Sequence, residues 1–157
     1  ASLSKTIAPG LRTAYIYAPE QFKAVLSSAL YNLNVSITPI MAELASRVIV
    51  SGQFDDILKM HKRNTKIRNK LADKHLAGFT CYGDNTCIFR WLCLPSGITG
   101  TEFEKKALSH GVQVYAAERF VVGTTIPERA VRLAICAPKT LDELEKGLII
   151  IKDLLAN

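Results

Sequence analysis

Apolar positions change their spacing several times along the chain, and each change marks an element. Residues 11–18, LRTAYIYA, are rich in β-branched and aromatic side chains and predict a strand. Pro19 then opens a helix on which Phe22, Val25, Leu26, Ala29, Leu30 and Leu33 recur at helical spacing. Residues 32–36 predict a loop. Thr38-Pro39 starts a second helix, through about Ile49, which Ser51-Gly52 stops. A long helix is expected from Phe54 to Leu76, ended by Gly78. Its apolar seam would be Ile57, Met60, Ile67 and Leu71, with Asn64 filling the gap. A long helix with one such seam needs a partner surface.

The second half is different in character. CIFRWLCLP, residues 87–95, predicts a strand bounded by Pro95. Thr101 to His110 predicts a short helix with a Thr101–Glu104 capping box and Gly111 as its C-terminal stop. Short strands are expected at Val112–Tyr115 and Ala130–Cys136. A final helix follows Pro138-Lys139-Thr140, capped by Thr140 and Glu143, with Leu141, Leu144, Leu148, Ile151 and Leu155 as its stripe. These strands are joined by segments too short for regular parallel crossovers throughout. The order predicts a mixed α/β (α+β) unit: a small, mainly antiparallel sheet with helices on one face, preceded by a strand and a long linking helix.

Composition adds bounds. The chain has 157 residues, 48% hydrophobic and 22% charged, enough for a real core and ordinary for a globular protein. No apolar run is long enough to span a bilayer and no signal peptide is visible, so a cytoplasmic protein with no membrane partner is expected. Cys81, Cys87, Cys93 and Cys136 fit no zinc spacing, and His61, His75 and His110 show no ligand or triad spacing, so no metal is expected. The thiols read as reduced cytosolic cysteines. The net charge of +6 is concentrated in KMHKRNTKIRNK, residues 59–70. That segment reads as the exposed face of the long helix; the alternative is a basic domain that contacts nucleic acid directly.

Two segments carry chemistry. Residues 2–15, SLSKTIAPGLRTAY, place Lys5 among Ser2, Ser4 and Thr6, ahead of a Pro9-Gly10 turn that could bring Arg12 back toward it. Hydroxyls and a forked guanidinium are the groups a phosphate needs, and a lysine beside them suits imine chemistry once its amine is neutral. The stretch resembles the cofactor-lysine segment of the fold-type-I aminotransferases, S-x-S-K-x-x-A-P-G-x-R-x-G-[YW], with Ala14 where that family usually has glycine. The resemblance implies pyridoxal 5′-phosphate as cofactor, Lys5 as the catalytic Schiff-base lysine, and Ser2 and Arg12 as phosphate anchors.

The second segment is AVRLAIC, residues 130–136, an apolar strand interrupted by Arg132. A guanidinium there needs a partner. Either an internal acid such as Glu118 or Glu128 pairs with it, or a ligand carboxylate does; Ala130, Ala134 and Cys136 are small enough to leave room. The strand is similar to the one in which fold-type-I aminotransferases hold the substrate α-carboxylate, which implies that role for Arg132. Pro127-Glu128-Arg129 before it and Ala137 to Leu148 after it resemble the MocR-type regulators of the GntR family, in which a winged helix-turn-helix domain is fused to an aminotransferase-like domain.

Under this resemblance residues 1–35 end the large cofactor-binding domain, 36–77 connect, and 78–157 form the small C-terminal domain. The intact protein is expected to be a homodimer that senses an amino acid or related amine through the cofactor and binds DNA through an N-terminal domain absent here. The alternative is part of a catalytically active class I/II aminotransferase. The family's pyridine-nitrogen acid, ring-stacking aromatic and first phosphate loop lie upstream of the lysine, so this stretch alone is expected to be inactive and to bind the cofactor weakly.

Overall fold

The computed structural model describes residues 2–34 and 36–156. It falls into two compact units, one up to His61 and the other from Lys62 onward. The expected loop at 32–36 includes Val35, which lies outside the described residues.

In the first unit, α1 (Leu3–Thr6) leads through a 3-10 turn at Pro9–Leu11 to an extended segment. No strand forms over 11–18. The one ladder contact there is an isolated antiparallel bridge, Ser2 to Ala14. A strand needs a ladder partner, and among the described residues the ladder does not continue past the Ser2–Ala14 bridge; Tyr15, Ile16 and Tyr17 are exposed. A 3-10 turn at Glu20–Phe22 then runs into α2 (Lys23–Asn34), which buries no residue. Its stripe of Val25, Leu30 and Leu33 is present at helical spacing and faces outward. Next comes α3 (Pro39–Val50), with Thr38 at its N-cap and Pro39 in its first turn as expected. The small core of this unit is Leu3, Leu11 and Ala45, flanked by Ile7, Ala8, Met41 and Phe54.

Helix α4 (Gln53–His75) matches the expected long helix to within a residue at each end. Its buried stripe matches only in part: Leu71 packs on the core and Ile57 is half-buried. Met60 and Ile67 are 53% and 47% exposed, while Thr65, Asn69 and Ala72 are buried. The packed face is small and polar because its partners supply hydrogen bonds: Asn69 donates to the Cys87 carbonyl at 2.9 Å and its Oδ1 accepts from Arg90 at 3.3 Å. Lys59, Lys62, Arg63, Lys66 and Lys70 are exposed, so the basic run is a solvated helix face.

In the second unit β1 (Cys81–Tyr82), β2 (Arg90–Cys93), β3 (Tyr115–Ala116) and β4 (Ala130–Leu133) form one antiparallel sheet in the order β1-β2-β4-β3. Two helices complete it, α5 (Gly100–Ser109) and α6 (Leu141–Ala156). Leu92, Val131 and Leu133 pack with Ala72 and Leu76, with Phe103 and Ala107 of α5, and with Leu144, Leu148 and Ile151 of α6. The sheet therefore has one helix-covered face, the architecture expected. The α5 cap is shifted by two residues. Thr99, not Thr101, is the N-cap and forms the capping box with Glu102. Both frames read T-x-x-E, and Glu104 is engaged elsewhere. His110 caps the C-terminus, and Gly111 at φ +81° takes the left-handed position that follows it. The Thr140–Glu143 box of α6 forms: the Glu143 N–H donates to Thr140 Oγ1 at 3.1 Å and the Thr140 N–H to Glu143 Oε2 at 3.4 Å.

Candidate functional site

The lysine segment closes on itself. Ser2 is the N-cap of α1, its Oγ accepting from the Ser4 N–H at 3.3 Å. The chain then returns: the Leu3 N–H donates to the Thr13 carbonyl, ten residues on, at 2.9 Å beside the Ser2–Ala14 bridge. Leu3, Leu11 and the buried Thr13, whose Oγ1 donates to the Leu11 carbonyl at 2.8 Å, hold the turn from inside. Ser2, Lys5 and Arg12 are all exposed on its outside. Arg12 follows the Pro9–Leu11 turn with φ 46° and ψ 30°, left-handed backbone for a residue with a Cβ. It is the one non-glycine residue at positive φ among those described. Such a conformation costs free energy that the surrounding structure must offset, and it concentrates at ligand-binding positions. The structure thus brings three of the four expected site residues onto one closed turn.

Arg132 belongs to the second unit. On β4 it stands directly opposite Trp91 of β2 and Tyr115 of β3. Side chains at paired positions share a face, so this is the sheet face away from Leu92 and Val131. Its guanidinium carbon lies 4.3 Å from the ring centre of Phe89, 4.7 Å from Phe120 and 5.0 Å from Tyr115. Cations are drawn to aromatic faces by the ring quadrupole, but rings offer no hydrogen-bond acceptor, and the Arg132 Nε–H is buried without one. The acids named from sequence do not pair with it, and it takes part in none of the ion pairs among the described residues. Glu118 accepts from the Thr101 N–H at 3.3 Å, and Glu128 accepts from the Trp91 indole N–H at 3.1 Å.

Two features around Arg132 escaped sequence reasoning. The aromatic cage draws on two distant stretches, Phe89 and Trp91 at β2 and Tyr115 and Phe120 at β3 and the turn after it, and the signal that marks it, Trp91 and Tyr115 at the positions paired with Arg132, exists only once the register is known. The clamp on its far wall is the second. Glu104 of α5 accepts from Arg119 Nε at 3.0 Å and Nη2 at 2.6 Å, and from the Ala116 N–H at 2.8 Å. Hydrogen bonds from Arg119 and Ala116 hold the Glu104 carboxyl below its ordinary value, and the clamp fixes the 115–120 stretch that carries Tyr115 and Phe120. On the same face as Arg132, Cys93 is opposite Ala130. Burial, with the nearby Glu128 carboxylate, pushes its thiol pKa up, which keeps it a thiol.

Comparison with known proteins gives consistent matches over the whole chain. The family model for aminotransferase class I and II matches residues 1–149. The uncharacterized HTH-type transcriptional regulator YdeF of Bacillus subtilis (strain 168) is 57% identical over 155 residues, 99% of this chain and 34% of that protein. The chain thus spans about a third of the length of this relative. Among solved structures, the multiple substrate aminotransferase from Thermococcus profundus superposes with a TM-score of 0.85 at 18% identity, over 99% of this chain and 39% of that one. The kynurenine aminotransferase of Pyrococcus horikoshii, solved in complex with PMP, gives 0.81 at 18% identity, over 99% of this chain and 39% of that one.

Proposed function

The chain belongs to the class I and II aminotransferase family, and we propose that it is the C-terminal part of a pyridoxal-phosphate-dependent transcriptional regulator of the MocR type of the GntR family, which senses an amino acid or related amine. The observation that carries this reading is the 57% identity, over nearly the whole chain, to a protein named as an HTH-type transcriptional regulator. In this reading residues 1–35 end the cofactor-binding domain, 36–77 connect, and 78–157 are the small domain of a cytoplasmic homodimer that binds DNA through its N-terminal domain.

The residues present fit the cofactor. The turn at 2–14 exposes an amine, a hydroxyl and a guanidinium together, the donor set for an aldehyde that carries a phosphate. Lys5 is the amine that would hold the carbonyl carbon; Ser2 and Arg12 would hold the phosphate. Bound there, pyridoxal phosphate supplies an electrophilic carbon for an incoming amine and an electron sink. Arg132 would grip the ligand carboxylate and fix its orientation, a guanidinium being suited to a two-oxygen fork. Ligand held in this way would favour one arrangement of the protein and so alter its affinity for DNA.

The direct test is to incubate the intact protein with pyridoxal phosphate, reduce with borohydride and map the adduct by peptide mass spectrometry. A stoichiometric adduct on Lys5, absent from Lys5→Ala, is expected. An adduct spread over surface lysines, or none, would overturn the reading.

A further inference from the structure

Among the described residues Arg132 takes part in no ion pair, although Glu128 lies only four residues before it. β4 begins at Ala130 and the chain bends at Arg129, so it is the contact with Trp91 that places the Glu128 carboxylate on the sheet face of Arg132. An acid this close is a candidate partner for the guanidinium. Here the Glu128 carboxylate instead accepts the Trp91 indole N–H at 3.1 Å, and Trp91 is the residue directly opposite Arg132. The indole also meets Phe120 edge to face, ring centres 5.8 Å apart, and Phe120 is one of the rings on the guanidinium. The other acid named from the sequence, Glu118, is engaged elsewhere. It reaches the N-terminus of α5 at Thr101, where Gly100 leaves the space: a Cβ there would collide with Glu118 Oε2 and the Ala130 carbonyl.

We infer that Trp91 is a positioning residue for the carboxylate site: its indole N–H takes up Glu128 so that the Arg132 guanidinium, steadied by rings that cannot neutralise it, is kept open for the ligand. This rests on the reading of Arg132 as the carboxylate anchor. A merely structural tryptophan would support the sheet but leave the openness of Arg132 unchanged when its N–H is removed.

Phenylglyoxal labelling of the intact protein, followed at Arg132 by peptide mass spectrometry, reads that openness, with acetate as the carboxylate probe against chloride at equal ionic strength. In the unaltered protein acetate is expected to slow labelling of Arg132. In Trp91→Phe, which retains a ring against Phe120, Glu128 swings onto Arg132: labelling falls about two- to fivefold, as a partly screened ion pair would give, and the acetate effect disappears. Adding Glu128→Gln to Trp91→Phe restores both. Trp91→Leu repeats the test should Trp91→Phe lose its melting transition. Unchanged labelling in Trp91→Phe, or a fall that Glu128→Gln does not reverse, overturns the inference. Labelling of the unaltered protein that acetate leaves untouched overturns the carboxylate role of Arg132 itself, while the variants' rates still decide whether Trp91 holds Glu128 away.

Discussion

Arg90 shows how one residue can organise a face of the second unit. It lies on β2, 7% exposed, beside Leu92 on the helix-covered side of the sheet. Its guanidinium donates to the Gly83 carbonyl at 2.7 Å, to Asn69 Oδ1 at 3.3 Å, and pairs with Asp73. Asn69 is fully buried and spends its amide on the Thr65 and Cys87 carbonyls, both at 2.9 Å. Every member depends on another, so removing one strands the rest. Asn69→Ala leaves the Cys87 carbonyl without its donor and removes one of the three acceptors of Arg90, and is expected to cost about 1–3 kcal/mol. Urea unfolding followed by circular dichroism measures it; a loss within error of zero would show that water replaces the amide. This cluster also explains why α4 was misread. Apolarity marks Ile57, Met60, Ile67 and Leu71 as its seam, with Asn64 filling the gap, and singles out neither Thr65 nor Asn69. What makes Asn69 an inward residue is the carbonyl of Cys87 and the guanidinium of Arg90, which lie far along the chain and leave no periodic trace.

At the scale of elements, helix boundaries were legible and strand boundaries less so. Pro39, Gly52, Gly111 and the Thr140–Glu143 box act through neighbouring residues, so sequence carries them. Strand extent is set by ladder partners: 87–95 shortens to Arg90–Cys93, Ala130–Cys136 to Ala130–Leu133, and 11–18 to a single bridge. The α5 frame was set by a competition that sequence alone leaves open, since Glu104 could cap the helix or bind Arg119 and Ala116. Its actual role gives a prediction. The folded carboxyl titrates below its ordinary value near 4.5, so the clamp contributes fully above that pH and is lost as pH falls through the folded-state value. Glu104→Gln is expected to lower stability by about 1–2 kcal/mol at neutral pH and to flatten the acid limb of the stability profile below the ordinary carboxyl value of 4.5. Thermal melts of both proteins across that range check it, and parallel acid limbs would sink the assignment. Packing gives a second prediction at this scale. Phe103 of α5 is fully buried against the sheet, and Phe103→Ala is expected to cost about 3–5 kcal/mol, read as a lowered urea midpoint.

For the whole molecule, the functional segments were the more legible part and their surroundings the less. Lys5, Ser2 and Arg12 lie within eleven residues and close through their own turn, so a contiguous motif conveys them. Arg132 is conspicuous as one charge in an apolar strand, but its cage draws on Phe89, Trp91, Tyr115 and Phe120 and depends on long-range register. On the proposed reading the intact protein binds both an amino acid and DNA, and this has a thermodynamic consequence. If an amino acid that binds there changes DNA affinity by some factor, DNA must change the affinity for that amino acid by the same factor, because the coupling free energy is shared. DNA titrations with and without saturating amino acid, and amino acid titrations with and without DNA, are expected to give equal ratios, about 5- to 150-fold for typical couplings. Arg132→Gln should bring both ratios toward one while leaving DNA affinity in the absence of amino acid unaltered, since a ligand that binds two states equally shifts neither. A variant that loses DNA affinity outright would place Arg132 in the support of the fold rather than in the grip on the ligand.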